Sequence, residues 1–270
     1  MLKFLEPYTF AFKLGMQKAL VYRTNFIFRA LFNLLPLFAI ISLWKAIYKN
    51  PEQIVSGYTV AQMVAYYLLV SIVDNLTSVT EDDWQIAGDI KDGHISQFLL
   101  RPVEYLTYRL SIFSAGRCVF TAAAAGPVIV FLVINQTYFV WPRDPSTAFF
   151  FAVSLVLSAL LQFFLSFTLA MLAFWVFEIS AFAFVLLAFQ RLLGGQMFPL
   201  DILPGWVQRI VFCTPMPYTT FFPASIYLGR LEKWAVISGL IIQAGWVVGI
   251  YFIARLAWHR GLRRFTAAGA

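Results

Sequence analysis

The segment 81–109, EDDWQIAGDIKDGHISQFLLRPVEYLTYR, constrains the fold more than any other stretch. It carries nine charged side chains and His94, and it lies between apolar stretches each long enough to cross a bilayer. An ionised side chain is costly in hydrocarbon, so this segment must lie in water while its flanks do not. Ile86, Ile90 and His94, followed by Ile95, Phe98 and Leu99, recur near helical spacing. Gly88 and Gly93 are expected to break that pattern, and Arg101-Pro102 to stop it. The segment 81–105 therefore reads as one or two short helices at the membrane face, offered to the cytosol as a docking element. The competing reading is a solvated loop.

Composition sets the class. The chain is 61% apolar and 12% charged, against about 45–50% and 25% in soluble domains. This describes an all-α integral membrane protein. The net charge of +7 then reads as topology and attraction to lipid headgroups, not as nucleic-acid binding. Cys118 and Cys213 show no CxxC or metal spacing and are expected to act as small buried apolar residues. No short apolar core ending in small residues marks a cleavable signal at the start. Instead Phe4, Tyr8, Phe12, Met16 and Leu20 recur every four residues, apart from Lys3, Lys13, Lys18 and Arg23. An interfacial amphipathic helix over 1–24 is expected, with a ragged basic start to the first span as the alternative.

Six spans fit the remaining pattern: 25–48, 59–80, 106–135, 147–176, 179–195 and 234–258, together forming one six-span domain over 25–258. Pro36 sits in the first, and Asp74-Asn75 form a polar pair in the inner half of the second. Ala122–Gly126 gives the third a small-residue face, and Gly245 and Gly249 give the sixth a GxxxG spacing. The loop 136–146 contains Trp141-Pro142-Arg143-Asp144-Pro145. The fifth span carries Gln190-Arg191 and ends at Gly194-Gly195. Between 196 and 230 the chain is apolar yet contains Pro199, Pro204, Pro215, Pro217 and Pro223, so short re-entrant helices are expected there. A basic tail, 259–270, follows. Thirteen of the 20 Lys and Arg fall on the side of the N-terminus and six opposite, with Arg191 inside a span. Both termini and the 81–109 segment are thereby placed in the cytoplasm.

The sequence offers no catalytic set. It has no GxSxG elbow, HExxH helix or GxxxxGK[ST] phosphate loop, and its histidines are His94 and His259 alone. No enzyme activity, metal or cofactor is expected, and the chain cannot itself bind ATP by the usual phosphate cradle, which makes transport driven from elsewhere attractive. Polar groups inside spans point to function or pairing. Asp74 and Asn75 either pair across the bundle or line a substrate path. Gln190 and Arg191 face a cavity or anionic headgroups, or snorkel to the interface. Gln162 reads as interhelical glue. Glu178 reads as facing water at a tight turn, with a salt bridge to the docking segment as the other option.

Three stretches carry a family resemblance: YRTNFIFRALFNLLP (22–36), GDIKDGHISQFLLRPVEYLTYRL (88–110) and GGQMFPLDILPGWVQRIVFCTPMPYTTFFPASIYLGR (194–230). Together they resemble the permease subunits of ATP-binding-cassette exporters of the second type, the O-antigen, drug and lipid exporter class, over nearly the whole chain. The resemblance implies that 87–99 is a coupling helix seated in a groove of a cytosolic ATPase. It assigns ATPase coupling to Ile86, Ile90, Gly93, Ile95, Phe98 and Leu99. It also implies outer re-entrant helices after span five, and two permeases facing each other through spans one and five. A dissimilar second permease is favoured over a second copy. The expected partners are an ATPase dimer, that second permease and lipid, in a bacterial inner membrane. Expected cargo is an amphipathic lipid, glycan, peptide or drug, leaving the cell. An ATP-independent carrier or channel is the alternative.

Overall fold

A computed structural model describes residues 2–21, 23–48, 54, 57–79, 82–100, 102–134 and 144–265. The described chain is all-helical. In order come α1 (Leu2–Val21), α2 (Arg23–Ile47), α3 (Val60–Thr77), α4 (Asp82–Lys91), α5 (Ile95–Leu99) and α6 (Tyr105–Ile134). They are followed by α7 (Pro145–Ala170), α8 (Ser180–Leu193), α9 (Gly205–Phe212), α10 (Phe221–Tyr227) and α11 (Lys233–Leu262). Short 3-10 turns follow α7 (Met171–Phe174) and flank α9 (Leu200–Ile202, Met216–Tyr218). Three stretches among the described residues are long and apolar enough to cross a membrane: Val60–Thr77, Pro145–Phe174 and Lys233–Leu262. Leu35–Ile47 and Ser180–Leu193 are shorter apolar helices. Residues 136–143 of the expected loop and 266–270 of the expected tail lie outside the described residues.

One core is built on α7 and α11. Leu161, Phe163 and Phe167 of α7 pack with Val247, Ile250 and Ala254 of α11, with Phe113 of α6, and with Ile86, Ile90 and Ile95. A second core gathers Tyr58, Met63, Tyr66 and Leu69 with Leu37 and Ile41 of α2 and with Leu200, Val211 and Phe221 from the breaker-rich region. A buried polar staple joins the two helices of the first core to the 3-10 turn at Tyr218. The Gln243 side-chain amide donates to Ser154 O (3.1 Å), Ser158 Oγ (3.0 Å) and Tyr218 O (2.9 Å) and accepts from Ser154 Oγ (3.0 Å).

Four features depart from the sequence reading. Gly88 does not break α4, which runs through it; only Gly93, at φ +74°, turns the chain between α4 and α5. In α1 the buried seam is Ala11, Gly15 and Ala19, one register over from the aromatic stripe, and Leu20 is exposed. A Cβ at Gly15 would meet Ala115 Cβ at 3.0 Å, so the small residues set how closely α1 approaches α6. Cys118 and Cys213 are exposed, because a chain surrounded by lipid does not have to bury a small apolar thiol. Gly245 and Gly249 face open space, whereas Gly239 and Gly261 pack against the rings of Phe222 and Phe174.

Gly195 shows why the chain bends after α8. Its φ is +83°, and a Cβ there would meet Tyr66 Oη at 2.7 Å and Phe221 Cβ at 2.9 Å. Positive φ and the lack of space both demand glycine. Gly195→Ala is therefore expected to destabilise the protein by about 1–3 kcal/mol, while Gly245→Ala leaves it unchanged. Thermal unfolding of both variants in one detergent checks the contrast.

Candidate functional site

The polar residues singled out in the sequence meet in one place. Asp74, Asn75, Gln190 and Arg191 all line a cavity of about 580 Å³ between α3, α6, α7 and α8. Ser78, Gln162, Ser166, Ser180 and Gln196 add further polar groups, and Trp84, Phe120, Phe184 and Leu187 supply apolar wall. Asp74 accepts from Gln196 Nε2 at 2.9 Å, which ties the start of the breaker-rich region to α3. Asn75 donates back to Ser71 O at 2.7 Å, within its own helix. Gln162 donates to Thr77 Oγ1 at 2.8 Å, so it does act as a bond between helices. Arg191 and Arg117 are the cations whose field reaches Asp74, and Arg117 sits over the Phe120 ring at 4.9 Å. Gln196, Trp84 and Arg117 were not flagged by sequence, because their spacing shows nothing until α8 is placed opposite α3. The cavity can accept and donate hydrogen bonds to a polar group while offering aromatic surface to an apolar one.

The charged segment adjoins this cavity through Trp84. Ile86, Ile90 and Ile95 are buried in the chain's own core. Gly93 forms the turn, and the Phe98 ring packs on Tyr105 (5.0 Å) and Tyr108 (4.9 Å). Leu99 and Leu100 point outward, 52% and 89% exposed. The six residues assigned to coupling thus divide into an anchoring set and an outward tip, to which Leu100 belongs.

Polar bonds fix the segment's orientation. Asp89 of α4 pairs with Arg109 Nη2 (2.9 Å) and accepts from the Tyr105 hydroxyl (2.6 Å), which in turn accepts from Arg109 Nε (3.0 Å). Tyr105 stacks on Trp258 of α11 at 5.0 Å and 11°, so α4, α6 and α11 meet around one ring. On the other side Lys91 reaches Glu178 at 4.0 Å, the salt bridge left open by sequence. Glu178 accepts from the backbone N–H and hydroxyl of Ser180, at the start of α8. These bonds, with Lys91 beside it, hold the Glu178 carboxyl below the usual carboxylate range. With the folded-state value depressed, this contribution is present at neutral pH and is lost only as pH falls through the carboxylate range. The α1 helix joins in: Lys18 Nζ donates to Gln85 Oε1 (3.3 Å), and the Glu104 amide donates to the Tyr8 hydroxyl (3.2 Å).

At the opposite end of the bundle a second cluster closes over Tyr58. Its hydroxyl donates to Asp201 at 2.9 Å, and burial, then Asp201, pushes that hydroxyl well above the ordinary phenol range, so it stays protonated. Arg230 pairs with Asp201 at 2.9 Å and lies over the Tyr58 ring at 3.9 Å.

A family model described as ABC-2 family transporter protein matches residues 34–269. The chain belongs to that family. No curated protein matches it. Membership makes the chain a multi-pass membrane permease of an ABC transporter, a transmembrane component and not itself the catalytic part; the family in general implies an ABC ATPase as partner. For this ABC-2 permease the Asp89–Arg109 pair is the bond to test, since at 2.9 Å it is the shortest ion pair that α4 makes among the described residues. Asp89 is partly exposed, which reduces the cost of breaking the pair below that of a fully buried one. Asp89→Ala is expected to lower stability by about 2 kcal/mol and to speed proteolysis between 92 and 100. Lys91→Ala, which breaks a 4.0 Å contact to a largely exposed carboxylate and a contact with the Phe177 ring, leaves the cleavage rate within about twofold. Limited proteolysis of the purified variants checks both.

Proposed function

We propose that this permease exports an amphipathic substrate, driven by ATP hydrolysed on a separate ATPase pair that docks on α4 and α5. The observation that carries the reading is the divided segment 82–100. It is anchored inward by Ile86, Ile90, Ile95 and the Asp89–Arg109–Tyr105 cluster, and outward it offers Leu99 and Leu100. A push on that tip reaches α6 and α11 through Tyr105 and Trp258, and α8 through Lys91 and Glu178. Helix α8 lines the polar cavity, so displacement of α8 would change access to Asp74 and Arg191.

The proposed topology has six spans, α2, α3, α6, α7, α8 and α11, with α1 on the cytoplasmic surface of a bacterial inner membrane and both termini inside. Helix α8 has 14 residues. At 1.5 Å per residue it covers about 21 Å, short of a roughly 30 Å hydrocarbon core. The crossing is completed by the non-helical stretch from Gly194, whose carbonyls are capped by α3 tyrosines: Tyr66 donates to Gly195 O and Tyr67 to Met197 O, both at 2.6 Å. The region 196–230 then caps the outer side, fastened by Tyr58, Asp201 and Arg230. A second permease, favoured as a dissimilar one, faces this one through α2 and α8. The support is that α8 buries no residue within its own chain, and that Leu31, Phe32, Leu35 and Phe38 of α2 are exposed. Substrate passes between the two permeases, with its polar part at the Asp74–Arg191 cavity.

Two tests separate docking from passage. Leu99→Glu with Leu100→Glu is expected to abolish recovery of the ATPase on a tagged permease while membrane levels hold. Equal recovery would remove α5 from the interface. Arg191→Ala is expected to leave ATPase recovery intact and to reduce transport about tenfold or more, through loss of a charged contact of about 1.5–3 kcal/mol. Unchanged transport would take the cavity out of the path.

A further inference from the structure

A second, smaller cavity of about 220 Å³ opens where α4, the corner after α7 and the end of α11 meet. It has two cations at its edge, Lys91 and Arg264, and walls made by Ile90, Phe174, Phe177 and Phe265. The Lys91 ammonium lies 5.3 Å from the Phe177 ring centre, and Phe265 packs against Phe174 at 6.2 Å. Arg264 is exposed and, among the described residues, has no ion pair. Among the described residues Lys91 pairs with Glu178 at 4.0 Å, a carboxylate that is itself largely exposed and not part of the lining. Apolar walls and two lining cations are complementary to an anionic amphiphile, whose phosphate meets the cations while its first methylenes cover the rings.

We infer that this corner binds the phosphate headgroup of an anionic phospholipid, held by Lys91 and Arg264. Lys91, whose ammonium has three donors, then adds a phosphate to its weak, solvated partner, and Arg264 gains one that its planar fork suits. The site rests on the proposed placement of this end at the cytoplasmic leaflet, but not on ATPase docking. Because it borders α4, bound lipid would brace the docking segment against the α7–α8 corner. Membrane composition would thereby act on coupling.

Native mass spectrometry of the detergent-solubilised chain, after exchange with phosphatidylglycerol or phosphatidylcholine, reads the site without ATPase or transport. Phosphatidylglycerol is expected to be retained and phosphatidylcholine not. Lys91→Ala with Arg264→Ala is expected to cut that retention on the order of thirtyfold, from about two lost headgroup charge contacts. Lys91→Arg with Arg264→Lys should keep it. Arg264→Ala alone, at an exposed position, reads the same signal if the double variant is not recovered. Equal retention of both lipids, retention that survives loss of both cations, or full displacement by millimolar inorganic phosphate would each overturn the assignment. The last outcome would mark a free-anion site. Loss of lipid with normal ATPase recovery, or the reverse, tells this inference apart from the docking proposal.

Discussion

A chain this apolar can leave its helical path only where side chains take over the hydrogen bonds that the backbone gives up. In hydrocarbon no water does so, and each orphaned carbonyl costs several kcal/mol. The region after α8 meets this constraint bond by bond. Tyr66 and Tyr67 bond the carbonyls of Gly195 and Met197, Gln208 those of Asp201 and Leu203, and Ser158 with Gln243 that of Tyr218. Apart from Gln208, which sits on α9 within the region, each donor comes from a helix that the irregular segment must touch. The bonds that make the segment tolerable therefore also fix its place against α3, α7 and α11.

At the other end the requirement is reversed. The polar segment 82–100 must stay in water and still hold to the bundle. Buried isoleucines provide adhesion, and the Asp89–Arg109–Tyr105 cluster provides direction, since a salt bridge braced by a phenol and a stacked indole has a defined geometry. Between the two ends lies the Asp74–Arg191 cavity, bounded by α8. That helix is bonded to the segment through Glu178 and to the irregular region through Gly194. On the proposed reading, energy enters at one end, substrate moves in the middle, and the fastened outer region sets the exit.

Periodicity and breakers made the helices legible: the ends of α3, α6 and α8 fall within about three residues of the hydropathy limits, and Gly194-Gly195 stops α8 as its conformation requires. Asp74, Asn75, Gln190 and Arg191 were legible because a polar group in an apolar run has few innocent reasons to be there. What sequence could not give was facing. The α1 seam of Ala11, Gly15 and Ala19 is inconspicuous beside a stripe of Phe, Tyr and Met, yet close approach selects the small residues. Gly245 and Gly249 have the spacing of a packing motif and meet no neighbour in their own chain, because spacing carries no information about what lies opposite. The charged segment shows the same limit. Its isoleucines were legible as an apolar face, but only the fold shows that this face is already covered within the chain and that Leu99 and Leu100 are exposed.

The most direct test of the account places a photo-crosslinking amino acid at position 100 in the native membrane and identifies the adduct by mass spectrometry. The account predicts an adduct with a cytosolic ATPase carrying a phosphate-binding glycine loop, and none from the same probe at position 184, on α8. Adducts from position 100 with lipid or with the permease alone, while the probe at 184 captures the ATPase, would contradict it.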